Sequence, residues 1–493
     1  MRVPCSVAVT MQDDKRMNRP GMQFAIVTGL AVVVGLIAVG TNAAELYLIC
    51  GVSIGLCILI CVRWGTRDVF SPMIYLGVLL AYYVFGVVNP FHLDINHLGL
   101  APGVYLSVMY VVFAGVLAYC VGAWAGSVLS ISPRARGATI ECTGLLRAAI
   151  LSLGVGVLFS VPHYLSSGIP ITGADPGEAR RFFTAGLSPW AFAQWTFLEV
   201  AFVLGLYVFS VTDKRRRWAG LVTAIAGLVV LAGLGSRVMI GTPLIIAACT
   251  YHYGARRLRG CQAAWLGAVS LCLISVLWIW RKREYLFHQG GGLAMSDEWG
   301  GSSTLSIMQM VFAGLAVFAR TSIEAFAYLV TLGGGTFRGE ISLMSFYAMA
   351  PGKQDGYGLY HMTRLLGGDP SVSGGSTVSL VGGLYGDFGI VGVLLGMMCL
   401  GAALKILNRI AISSGSLEVI ILYAVCVSYY LNMIYGGQFI DTSLVYRLLV
   451  FEAVLGIALL TDRNKLPPRM VVACATVPLI LLYALYRMFI GGR

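Results

Sequence analysis

The sequence predicts an all-α polytopic membrane protein of about thirteen transmembrane helices, with a long helical and irregular segment outside the bilayer. Three observations predict it. Of 493 residues, 58% are hydrophobic and only 11% are charged, against about 25% charged in a soluble domain. The mean hydropathy is +0.82. Apolar runs near the length of one bilayer crossing, about 20 residues, recur along the chain. A net charge of +12 does not mark a nucleic-acid binder, because the basic residues punctuate apolar runs and form no soluble basic domain. They read as orientation signals and headgroup anchors.

Taken in order, residues 1–21 are polar and form a cytoplasmic tail carrying Lys15, Arg16 and Arg19. The first apolar run lacks a cleavage-site pattern followed by a soluble domain, so it is expected to remain as a span. Candidate spans run 22–40, 45–62, 71–89, 104–128, 148–165, 189–211, 219–234, 238–252 and 264–280. They make an N-terminal bundle over 22–280, with one outer loop at 163–188. Residues 281–386 form a long extracytoplasmic segment. A C-terminal bundle over 387–493 holds spans 387–406, 417–436, 444–461 and 470–488.

Sidedness follows from Lys and Arg in short loops. With the tail inside, the cytoplasmic segments hold Arg63 and Arg67, Arg134 to Arg147, "DKRRR" at 213–217, "RRLR" at 256–259, Lys405 and Arg409, and Arg463 to Arg469. The apolar stretch 303–332 carries Arg320 and Glu324, and a single crossing there would turn the basic loops at 405–409 and 463–469 outward. It is therefore expected as interfacial helices or a re-entrant pair on the outer face. Of the twelve cysteines, none falls in 163–188 or 281–386. Cys5, Cys142 and Cys261 fall in cytoplasmic segments, so the outer segments need no disulfides, and no C-x-x-C pair suggests metal or redox chemistry.

The chemistry is expected on the outer face. "LAGLGSRVMIGTPLI" at 231–245 sets Arg237 between two spans, where a cation is costly unless paired, so a functional role is the default reading. The loop "HYLSSGIPITGADPGEARRFFTAGLSPW" carries Arg180 and Arg181. The long segment holds Arg281, Lys282, Arg283, Arg320, Arg338, Lys353 and Arg364. Arg281 to Arg283 abut a span end with Trp278 and Trp280, a pattern of interfacial anchoring. Arginine grips phosphate oxygens through a planar fork, so a membrane-borne diphosphate is the natural target. In "FARTSIEAFAYL", Arg320 and Glu324 stand i, i+4 on one helix face. That spacing fits either an intrahelical ion pair contributing about 0.3–0.5 kcal/mol or a binding or catalytic pair. The stretch 350–392, "APGKQDGYGLYHMTRLLGGDPSVSGGSTVSLVGGLYGDFGIVG", is broken by glycine and proline. Irregular backbone at a membrane is tolerated where it lines a wet cavity, which Lys353, Tyr357, His361, Arg364 and Asp387 would line.

The order "GSR" between two spans, R-x-x-x-E in a long outer segment, P-x-K, then "GST…LYGDFGIVG" entering a span resembles the Wzy-type oligosaccharide repeat-unit polymerases, the O-antigen polymerase family. The likeness runs over roughly residues 20–460 in span number, loop placement and motif order. The family commonly has an arginine shortly before P-x-K-P, whereas "SFYAMAPGKQD" here lacks both that arginine and the second proline. The resemblance implies a C-type glycosyltransferase architecture, shared with the O-antigen ligases and the SEDS polymerases, in a bacterial inner membrane. It implies an enzyme acting on the extracytoplasmic face, with polyprenyl-diphosphate-linked oligosaccharide as donor and acceptor. The product would be a surface polysaccharide such as O-antigen, capsule or exopolysaccharide, made with a chain-length-regulating membrane protein and a flippase as partners.

Fixed cations would stabilise charge on the leaving diphosphate, from Arg237, Arg320 and Arg364 first and Arg180, Arg181 and Lys353 next. Candidate bases for the acceptor hydroxyl are Glu324, His361 and Asp387. Tyr357, Tyr360 and Tyr385 are candidate sugar-stacking rings. The outer segments hold no Asp-x-Asp motif or metal-spaced cluster, so a metal- and cofactor-independent enzyme is expected. Two rivals stand beside it, an O-antigen ligase using the same arginines and a flippase or secondary transporter. A transporter predicts internal repeats and midplane polar groups. No clear repeat is seen, and Glu199 and Glu452 are the main ionisable residues within spans.

Overall fold

The computed structural model describes residues 68–88, 98–129, 140–167, 189–212, 214–233, 237–263, 307–343, 377–440 and 442–461, with isolated residues at 169 and 366 and isolated stretches within 50–56, 265–270 and 470–477. Candidate span 22–40 and the loops at 171–188 and 281–306 lie outside the described residues. Every regular element among the described residues is an α-helix. In chain order these are α1 (Pro72–Val88), α2 (Pro102–Val128), α3 (Cys142–Ser167), α4 (Pro189–Val211) and α5 (Lys214–Gly233). They continue with α6 (Arg237–Gly254), α7 (Ile307–Thr331), α8 (Leu380–Ser414), α9 (Leu417–Gly436) and α10 (Thr442–Thr461).

Seven of the described helices are long and apolar enough to cross a membrane: α2, α3, α4, α5, α8, α9 and α10. Length is the cause. A bilayer leaves backbone N–H and C=O groups no partner but their own helix, so an apolar run of this size folds as one helix.

Residues 307–331 form one unbroken helix, which removes the re-entrant pair from the two arrangements expected there and leaves the interfacial one. A boundary also moves. The last helix of the "GST…LYGDFG" stretch begins at Leu380, seven residues before the expected span, with Ser379 as N-cap accepting from Gly382 N.

Small residues set the closest helix crossings. On the α2–α8 seam, a Cβ added to Gly126 would lie 2.8 Å from the Ala402 carbonyl oxygen, and Gly122 and Gly401 face backbone as closely. On the α4–α5 seam, Gly205 and Gly220 each face the other's carbonyl at 2.7 Å. Lipid is as apolar as leucine, so membrane helices associate through close packing at such positions. The helices fall into two groups, α3–α4–α5 and α1–α2–α7–α8, joined through α6, α9 and α10.

Polar side chains gather where the groups join. Asn432 Nδ2 donates to Thr242 Oγ1 at 2.8 Å, and Ser428 Oγ donates to the Thr242 carbonyl. Arg447 of α10 makes a two-pronged contact with Glu199 of α4, Nε to Oε2 at 2.9 Å and Nη2 to Oε1 at 3.2 Å. At the opposite end of α6, Tyr253 Oη donates to Asp68 and accepts from Asn408 Nδ2.

Cys142 is disulfide-bonded, with a partner outside the described residues. The sequence reading puts Cys142 in a cytoplasmic segment, where disulfides are rare.

Candidate functional site

One end of the bundle collects the sequence-predicted residues that the structure describes. Arg320 sits on α7, where α7 crosses the end of α1. Gly86 permits the crossing: a Cβ there would meet Ile323 Cγ1 at 2.6 Å and the Ala319 carbonyl oxygen at 3.0 Å. With no side chain in the way, the Gly86 carbonyl accepts from Arg320 Nη1 at 3.4 Å. Nε donates to Glu324 Oε1 at 2.6 Å, one helical turn on. Nη2 donates to Tyr105 Oη, in the first turn of α2, at 2.7 Å, and the guanidinium lies 4.5 Å from the Tyr105 ring centroid.

The Arg320 side chain is 11% exposed and that of Glu324 is 1% exposed. A guanidinium has five N–H donors. Three are engaged here, and the other two have no partner among the described residues. Both predicted readings of this pair are therefore physically linked. The i, i+4 bond exists, and it holds the fork in one orientation. One turn away, the Tyr82 and Ser322 hydroxyls hydrogen-bond each other.

Asp387 lies inside α8, 1% exposed. Its two oxygens accept from Ile341 N at 3.1 Å and Ser342 N at 2.5 Å. The reason lies in a break in the helix. Gly389 has φ 63° and ψ −156°, a conformation open to glycine alone. The break frees the carbonyls of Tyr385 and Gly386 from their helical partners, and these accept from Gly335 N at 3.0 Å and Phe337 N at 3.1 Å. The chain after α7 is thus hydrogen-bonded along the first turns of α8, with the Asp387 carboxylate as its anchor. The Tyr385 ring packs at 5.9 Å from that of Phe326 and against Gly334. Ser379, with φ 65°, is held by Tyr83 Oη at 2.7 Å and by its N–H to the Tyr435 carbonyl.

Arg237 opens α6. The Thr242 contact with Asn432 sets that end of α6 beside the end of α9, which in turn adjoins Ser379 through Tyr435. The backbone of Arg237 and the Arg320 fork thus share one end of the molecule. Arg180, Arg181, Lys353, Tyr357, Tyr360, His361 and Arg364 lie outside the described residues. Sequence reading missed two participants. Tyr105 gave no signal, being one of 24 tyrosines. Arg447 lies buried within α10, and its partner Glu199 is 248 residues away.

Among the described residues, no three His, Cys, Asp or Glu side chains are grouped to hold a metal ion. Fold and site together define a polytopic helical membrane protein with an oriented, mostly buried arginine at one end. The chain matches no protein-family model, no curated protein and no solved structure.

Proposed function

We propose that the protein is an extracytoplasmic glycosyltransferase that joins polyprenyl-diphosphate-linked oligosaccharide units into a surface polysaccharide. The observation that carries this reading is the Arg320 fork, fixed from three sides and left with two donors. A preorganised cation costs no reorganisation as charge develops on a leaving diphosphate. Near lipid it also acts in a low dielectric, where its effect is larger than in water. In this reading Arg320 binds phosphate oxygens and Glu324 positions it. Asp387, with both oxygens on backbone N–H groups, is assigned to holding the loop after α7. The acceptor's proton is left to His361 or to solvent. The motif order that resembles the O-antigen polymerases supports the same assignment.

The test is Arg320→Ala in cells that depend on this chain for polymer. At normal membrane abundance the variant is expected to leave single repeats on the lipid carrier. Polymer of ordinary length would remove Arg320 from the site. Long chains retained on the carrier would indicate a ligase.

A transporter reading is favoured by two specific observations, the helix broken at Gly389 and the Glu199–Arg447 pair inside spanning helices. Discontinuous helices and intramembrane charges are the building blocks of transport sites. Reconstituted vesicles separate the two. Translocation of a lipid-linked oligosaccharide without glycosidic bond formation supports transport.

A further inference from the structure

The first turn of α5 carries Lys214, Arg215, Arg216 and Arg217 and no acidic residue. Asp213 directly precedes the turn, so four cations stand against one carboxylate and the helix start keeps a net excess of three positive charges. A helix N-terminus bears about half a positive charge, and each added cation there is unfavourable. Sequences ordinarily put acidic residues in a first turn. Arg215, Arg216 and Arg217 are exposed, and among the described residues none is paired with a carboxylate. Arg217 instead lies over the Phe209 ring at 4.5 Å. Such a cluster is stable where an outside anion meets it, and the unpaired N–H groups of the first turn add donors to the same place.

The helix below the cluster identifies the anion's carrier. Trp218 is 63% exposed, and Val222, Ile225 and Val229 are 65%, 53% and 64% exposed. Their spacing aligns them in one stripe running down from the arginines. In a bilayer the stripe lies against acyl chains, so the anion nearest to both stripe and cations is the headgroup phosphate of one of those same lipids. A phospholipid uses both.

We propose that α5 is a binding site for an anionic phospholipid, its phosphate against Arg215 and Arg216 and its acyl chains along the Val222, Ile225 and Val229 stripe. Trp218 sits at the boundary, where its ring spans the apolar and polar layers. The site is independent of Arg320 and of the glycosyltransferase reading.

The experiment uses the full chain purified in a neutral detergent. Phosphatidylglycerol and phosphatidylcholine are titrated separately, with thermal stability and lipid retention in native mass spectrometry as readouts. Sodium phosphate forms a third arm. The expected result is that phosphatidylglycerol stabilises and is retained at defined stoichiometry. Phosphatidylcholine and phosphate should do neither. The Arg215→Gln/Arg216→Gln variant should bind phosphatidylglycerol roughly tenfold or more weakly. Val229→Ser, which keeps every charge, should weaken retention while leaving the lipid preference. Equal stabilisation by the two lipids overturns the proposal. So does phosphate reproducing the whole effect, or an undiminished phosphatidylglycerol preference in the double glutamine variant.

Discussion

The Arg320 fork shows how a residue pair that is ordinary on a surface changes character when buried. An exposed i, i+4 pair contributes a few tenths of a kcal/mol. Here the carboxylate is 1% exposed, so its main effect is to fix where two remaining N–H donors point. Glu324→Gln keeps an acceptor at the same place and is expected to retain much of the activity, whereas Glu324→Ala frees the fork and should lower it by about tenfold or more. A polymer-length assay on both variants checks this. Equal loss in both would indicate that the charge of Glu324, and not its hold on Arg320, is what counts.

Asp68 offers a second prediction at this scale. Burial pushes its carboxyl up, but His252, the Tyr253 hydroxyl and the Phe70 N–H outweigh burial and hold it below the ordinary carboxylate value of 3.8. A lowered folded-state value stabilises the fold above the unfolded group's pKa, and that contribution is lost as pH falls through the folded one. Wild type should therefore lose stability as pH falls below about 4. Asp68→Asn, less stable at neutral pH, should lose less over that interval in thermal denaturation.

At the scale of elements, some helix ends are legible in sequence, while α3, α5 and α8 begin five to seven residues before the expected spans. The runs at 417–436, 189–211 and 104–128 became α9, α4 and α2 with ends within two residues. Apolar length is a property of the run itself, and the bilayer enforces it. The break at Gly389 was not legible. The chain has 61 glycines, and what makes this one adopt φ 63° is a pairing with residues 335–342, which no local pattern encodes. The irregular segment was readable as irregular, but not the fact that its 333–343 part uses α8's freed carbonyls as partners. Gly389→Ala should therefore cost about 1–3 kcal/mol from backbone conformation alone, since no side chain lies within 4 Å of an added Cβ beyond the Gly335 N–H. A melting curve of the purified variant measures it. A variant as stable as wild type would show that α8 straightens there without penalty.

At the scale of the whole molecule, the two helix groups meet across a seam where the polar contacts between helices, among the described residues, join positions far apart in sequence. Glu199 and Arg447 tie α4 to α10, with Arg447 Nη1 also reaching Ser443 Oγ at 3.4 Å. Removing one partner leaves a lone charge in a low-dielectric interior, at a cost of about 3–5 kcal/mol, whereas replacing both with apolar side chains is often neutral or stabilising. Glu199→Leu and Arg447→Leu are each expected to lower thermal stability strongly, and the double variant to recover most of the loss. Function then separates the two proposed readings. If the pair only holds the groups together, the recovered double variant polymerises normally. If a transport cycle must open this seam, restoring stability will not restore translocation, because the charges that differ in energy between the two states are gone.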